Sequence, residues 1–153
     1  MVCLGNICRS PLAEGILRHK LELKGIFDIS VDSAGTSDYH VGDAPDPRSI
    51  KNAKSHGIDI SHLRGRQFIK DDFRKFDLIY AMDSSNFQNV IALAENKNDA
   101  IKVDLLLNAK WPGKNISVPD PYYGAGDGFE NVFLLVEQAC DEIVNRIIKK
   151  NKI

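Results

Sequence analysis

The chain has 153 residues, 43% apolar and 27% charged, which is enough material for one folded domain and excludes wholesale disorder. Twenty Lys and Arg against twenty-one Asp and Glu leave a formal charge of −1, so no global basic field draws the chain to nucleic acid or to an anionic membrane. No apolar run approaches the roughly 20 residues that span a bilayer, the chain opens without a basic-then-apolar leader, and its three cysteines are too few for a disulfide framework, so a cytoplasmic protein with reduced thiols is expected.

Ser10-Pro11 reads as a helix start, a capping hydroxyl followed by proline in the first turn. Leu12, Ala13, Ile16, Leu17 and Leu21 follow at helical spacing, and Gly25 stops the run. Phe27, Ile29 and Val31 alternate with polar residues and predict a half-exposed strand. Asp46-Pro47 opens a second helix that turns Ile50 and Ala53 inward and ends at Gly57. The apolar run Leu78–Met82 predicts a strand covered on both faces. Asp83-Ser84 caps a third helix with Phe87, Val90, Ile91 and Ala94 on one face, and Ile101, Val103 and Leu105 predict another half-exposed strand. Phe129, Val132, Phe133, Val136, Ala139, Cys140, Ile143 and Ile147 form the apolar stripe of a long last helix.

Strands alternating with helices, without repeats or a long linker, argue for a single α/β domain over residues 1–153 with a parallel sheet. The alternating strands suit the sheet edges and the continuous one its interior. Only Met1 and Val2 precede the reactive-looking segment at Cys3, so the first strand is expected to be truncated, with Met1 either a late start or an internal methionine.

Chemistry concentrates in Cys3-Leu4-Gly5-Asn6-Ile7-Cys8-Arg9-Ser10-Pro11. A loop of this length, running into a helix, can point successive backbone N–H groups at one spot and add the helix's positive end to them. Gly5 permits close approach and Asn6 tolerates left-handed backbone. Arg9 supplies a planar fork for two phosphate oxygens. Cys3 sits at the mouth of this anion cup, where surroundings favour a thiolate nucleophile. A bare Cys-x5-Arg pattern would more often be packing thiols and a surface cation; the Gly-Asn turn and Ser-Pro helix start reverse that balance.

This segment, with Leu12-Ala13-Glu14, resembles the signature of the low-molecular-weight protein tyrosine phosphatases. The resemblance continues through Asp32-Ser33-Ala34-Gly35-Thr36, Asp46-Pro47-Arg48, Gly57-Ile58, His62, Arg66-Gln67, Met82-Asp83 and Asp120-Pro121-Tyr122-Tyr123-Gly124, nearly the whole chain in order. It implies a sheet of four parallel strands in the order 2-1-3-4 with helices on both faces, and a phosphatase acting on phosphotyrosine through a phosphocysteine on Cys3. Arg9 and the loop amides would bind phosphate. Asp120, otherwise an ordinary turn aspartate, would be general acid and then base.

Leu4, Gly5, Asn6, Ile7, Cys8 and Ser10 would form the substrate cup, with Ser10 also assisting Cys3, and Tyr39, Tyr122 and Tyr123 would wall the entrance. Asn6 and His62 match positions that hold the loop by hydrogen bonds. Asp83 matches an acidic residue near the site, although a helix N-cap explains it equally well. Relatives acting on phosphoarginine tend to carry Thr where this chain has Ile7. The resemblance also implies a reversible Cys3–Cys8 disulfide under peroxide, while Cys140 reads as inert core.

No metal or other cofactor is expected, since the histidines lack metal-ligand spacing. The expected partner is a phosphotyrosine-bearing protein, with no nucleic acid or membrane, and the protein is expected to be a monomer or weak homodimer. Three other readings remain: a phosphoarginine phosphatase, an arsenate reductase on the same scaffold, which needs a further reactive thiol, and a non-catalytic phosphate-binding module.

Overall fold

Helix α1 (Arg9–Leu23) begins one residue before the Ser-Pro signal, with Pro11 in its first turn where no backbone donor is lost. A five-residue loop joins it to strand β1 (Val2–Cys3). In this computed structural model, which describes residues 1–124 and 126–151, the remaining elements are β2 (Ala34–Gly35), α2 (Pro47–Ser55), α3 (Asp72–Lys75), β3 (Ile79–Ala81), α4 (Ser84–Ile91), α5 (Lys97–Ala100), β4 (Val103–Leu105), a 3₁₀ turn (Leu106–Ala109) and α6 (Gly128–Lys150). Asp46 and Asp83 cap α2 and α4, each carboxylate accepting a backbone N–H of the first turn.

The strands form one parallel sheet in the order β2-β1-β3-β4. Val2 stands opposite Ala34 on one side and Ala81 on the other, and Ile79–Ala81 pairs with Val103–Leu105 residue for residue. Alternation along the strands divides the apolar residues between two faces. On one, Leu12 and Ile16 of α1 meet Phe133, Val136 and Cys140 of α6, with Cys3 beneath them. On the other, Val2, Ile79 and Val103 pack with Phe68, Phe73 and Val90. Helices therefore cover both faces.

Three strand expectations are corrected. Residues 27–32 form no strand: the ladder with β1 begins only at Ala34, whose N–H donates to Met1 O, and Phe27 is exposed. Alternation alone made these residues look like a strand, but a strand exists only where a neighbour completes its ladder. Likewise Ile101 lies in an exposed turn ahead of β4 and Leu78 stands exposed ahead of β3. A cavity of about 710 Å³ opens between residues 28–34 and Phe76–Tyr80. The short α3, α5 and the 3₁₀ turn gave no sequence signal, being too brief for a periodic pattern.

Candidate active site

Between β1 and α1 the chain curls around the Cys3 sulfur. Asn6 N donates to Cys3 Sγ at 3.2 Å, and Ser10 Oγ lies 3.0 Å from the same atom. The turn requires Asn6 at φ 57°, the left-handed region that asparagine tolerates. Its buried side chain then fixes the curl. Nδ2 donates to Ser10 Oγ at 2.8 Å and to Ser33 Oγ at 3.0 Å, and Oδ1 accepts from Arg66 N at 3.1 Å. Ser33 in turn donates to Glu14 Oε1 at 2.7 Å. Gly35 of β2 presses on the loop: a Cβ there would sit 2.8 Å from Leu4 O.

The backbone N–H groups of Leu4, Gly5, Ile7 and Cys8 have no acceptor among the described residues. Unpaired donors grouped in one short loop can form an anion nest, and the N-terminal end of α1 follows directly after them. Arg9, 3% exposed, closes one side. Its Nη1 donates to Asp83 Oδ2 at 2.7 Å and to Val118 O at 3.0 Å, which fixes the plane of the guanidinium. Asp83 serves twice, since its other oxygen accepts Asn86 N at 2.8 Å as the cap of α4.

Asp120 reaches the site from the segment after Val118. Its Oδ2 lies 3.7 Å from Arg9 Nη2, and its Oδ1 accepts Tyr122 N at 3.0 Å. A cleft of about 160 Å³ leads in, lined by Cys3, Ile7, Arg9 and Asp120 at its base. Tyr39, Tyr122 and Tyr123 stand exposed at its mouth, the last two edge to face with ring centroids 4.9 Å apart. These expected residues thus meet in one place: the Cys3 sulfur, a loop with unpaired backbone donors, a fixed guanidinium and the Asp120 carboxyl group.

A family model of the low molecular weight phosphotyrosine protein phosphatases matches residues 1–153. The chain belongs to this family. A low molecular weight phosphotyrosine protein phosphatase from Schizosaccharomyces pombe is 45% identical over 136 residues, which is 87% of this chain and 85% of the relative. A protein tyrosine phosphatase from Entamoeba histolytica has a crystal structure that superposes with a TM-score of 0.90 at 34% identity, covering 97% of this chain and 95% of that one. The Drosophila arginine phosphatase superposes with a TM-score of 0.88 at 33% identity, covering 95% and 94%.

Set against the family's signature, one expected residue is out of place. His62 is exposed and makes no side-chain hydrogen bond to the loop. It follows a tight turn in which Asp59 caps Ser61, and that turn leaves position 62 facing outward. The loop is held instead by Asn6, Ser10, Ser33 and the Arg66 backbone. His40, passed over in the sequence, lines the cleft beside Gly5 and pairs with Asp43 at 3.0 Å. A loop histidine without a motif gave no signal for this. The three cysteines are free thiols. Burial, with Asp46 adding to it, pushes the Cys8 thiol up to about 12, and burial alone dominates in pushing Cys140 to about 12. Among the described residues no helix is long and apolar enough to cross a membrane.

Proposed function

We propose that this protein-tyrosine-phosphatase hydrolyses phosphotyrosine through Cys3, Arg9 and Asp120. The observation that supports the reading is that Cys3, the buried Arg9 and Asp120 line one cleft together with a loop whose Leu4, Gly5, Ile7 and Cys8 N–H groups are unpaired among the described residues. The Cys3 thiolate attacks phosphorus, forming an S–P bond while the P–O bond to the phenol breaks. Arg9 Nη2 and the loop amides hold the equatorial oxygens as charge develops. Asp120 protonates the departing phenolate. Water then attacks phosphorus and gives a proton to Asp120, the S–P bond breaks, and inorganic phosphate leaves. Ser10 Oγ, 3.0 Å from the sulfur, stabilises the thiolate as it is expelled.

The entrance favours an aryl ester. Tyr39, Tyr122 and Tyr123 offer ring faces, and Ile7 offers an apolar wall with no hydroxyl. Likeness to the Drosophila arginine phosphatase supports a second reading, a phosphoarginine substrate. Turnover of matched phosphotyrosine, phosphoarginine and phosphoserine peptides separates the two. Phosphotyrosine is expected to lead; preference for phosphoarginine would overturn the assignment. Arsenate reduction fits poorly, because the one thiol outside the loop, Cys140, lies fully buried on α6. A purely binding module leaves the paired nucleophile and acid without a use.

A further inference from the structure

Asp120 stands on a lightly attached segment. Over Pro119–Gly124, among the described residues, the backbone makes one internal backbone bond, Gly124 N to Pro121 O at 3.2 Å, and Tyr122 N caps Asp120 itself. One side chain from another element bonds to the backbone of this stretch: Arg48 Nη2 donates to Tyr122 O at 3.3 Å. The guanidinium also lies 5.4 Å from the Tyr122 ring centroid and 4.8 Å from that of Phe129, in the first turn of α6. Arg48 therefore touches both the acid-bearing segment, at Tyr122, and the first turn of the helix that follows it.

Arg48 is in turn fixed to the phosphate loop. Its Nε and Nη2 fork onto the two oxygens of Asp46 at 3.0 and 2.9 Å, and its backbone N–H adds a third bond at 2.8 Å. These hydrogen bonds hold the Asp46 carboxyl below the usual carboxylate range, so it is ionised at neutral pH. Asp46 N donates to Ile7 O at 2.8 Å, and Ser49 Oγ donates to Cys8 O at 3.3 Å. A continuous path thus runs from the loop through Asp46 and Arg48 to Tyr122, two residues beyond Asp120. Only a planar fork with stackable faces makes the in-plane bonds and the ring contacts together.

We infer that Arg48 is a positioning residue for proton donation, clasping the Asp120 segment to the rim of the phosphate cup by way of Asp46. This rests on Asp120 being the general acid. Arg48 is not among the residues that line the cleft; it acts through the Tyr122 carbonyl and the two rings.

The test is kcat/KM on phenyl phosphate, a poor leaving group, and on p-nitrophenyl phosphate, a good one, with inhibition by vanadate as the measure of the intact cup. Arg48→Ala is expected to lose on the order of tenfold more on phenyl phosphate than on p-nitrophenyl phosphate, because only the poor leaving group depends on a well-placed proton. Vanadate affinity should stay unchanged. In an Asp120→Asn background the same substitution should cost less than about twofold, since the group it places is gone. Arg48→Met, which keeps an unbranched side chain but removes the guanidinium fork, controls for folding and should show the same leaving-group signature. Equal losses on both substrates, additive losses in the double variant, or weakened vanadate binding would overturn the role. If Asp120→Asn alone shows no leaving-group dependence, the acid assignment itself fails and the positioning role falls with it.

Discussion

The two halves of the site are built in opposite ways. The phosphate cup is buried and determined many times over: Asn6, Ser10 and Ser33 share one hydrogen-bond network, Arg9 is pinned by Asp83 and Val118, and Gly35 backs the loop. Asp120, the proposed acid, arrives on an exposed segment held by a few outside contacts, with its carboxyl group about one-third exposed. The contrast follows the chemistry. Donors that stabilise developing charge work best when they need not reorganise. A group that gives up a proton and takes one back must admit water and release product, so a looser mounting suits it.

Substitutions sharpen this contrast in order of expected size. Cys3→Ser should reduce turnover of aryl phosphates to background while inorganic phosphate still binds, because the cup is backbone and arginine; retained turnover would remove the nucleophile assignment. Asp120→Asn should lower kcat/KM on phenyl phosphate by about 10²–10³ and leave thermal stability nearly unchanged, as expected of an exposed acid. Asn6→Ala should do the reverse in kind. Removing the amide's bonds to Ser10, Ser33 and Arg66 N and forcing alanine into left-handed backbone should cost about 3 kcal/mol by denaturant titration, with weaker phosphate binding. Tyr123→Ala, at the 86% exposed rim, should raise KM for a phosphotyrosine peptide only about twofold and leave kcat alone. A stability loss from Asp120→Asn as large as that from Asn6→Ala would erase the distinction between the two halves.

The cup was legible in the sequence because its parts are contiguous. Nine residues carry the nucleophile, the turn, the fork and the helix start, and local chemistry dictates how they curl. The last helix was legible because its stripe is long. Residues 27–32 misled because alternation reports a pattern, whereas a strand needs a neighbour at the right height. His62 misled because a matching position in a motif is not a contact, and the Asp59–Ser61 turn decides where it faces. Arg48 stood out in the sequence only within the Asp46-Pro47-Arg48 match to the family, with no role attached; its partner Tyr122 lies 74 positions away, and no spacing rule reaches so far.

The strand order has one more consequence. From β1 the chain turns outward to β2, and it later crosses to the opposite side to lay down β3 and β4. At such a topological switch point the connections leaving the carboxyl ends of β1 and β3 diverge, and a crevice opens between them whatever side chains are present. Cys3 ends β1, and Asp83 stands just past the end of β3. The hollow proposed to receive the phosphate is therefore a property of chain routing, and substitutions lining it can change what reacts there while the crevice itself persists.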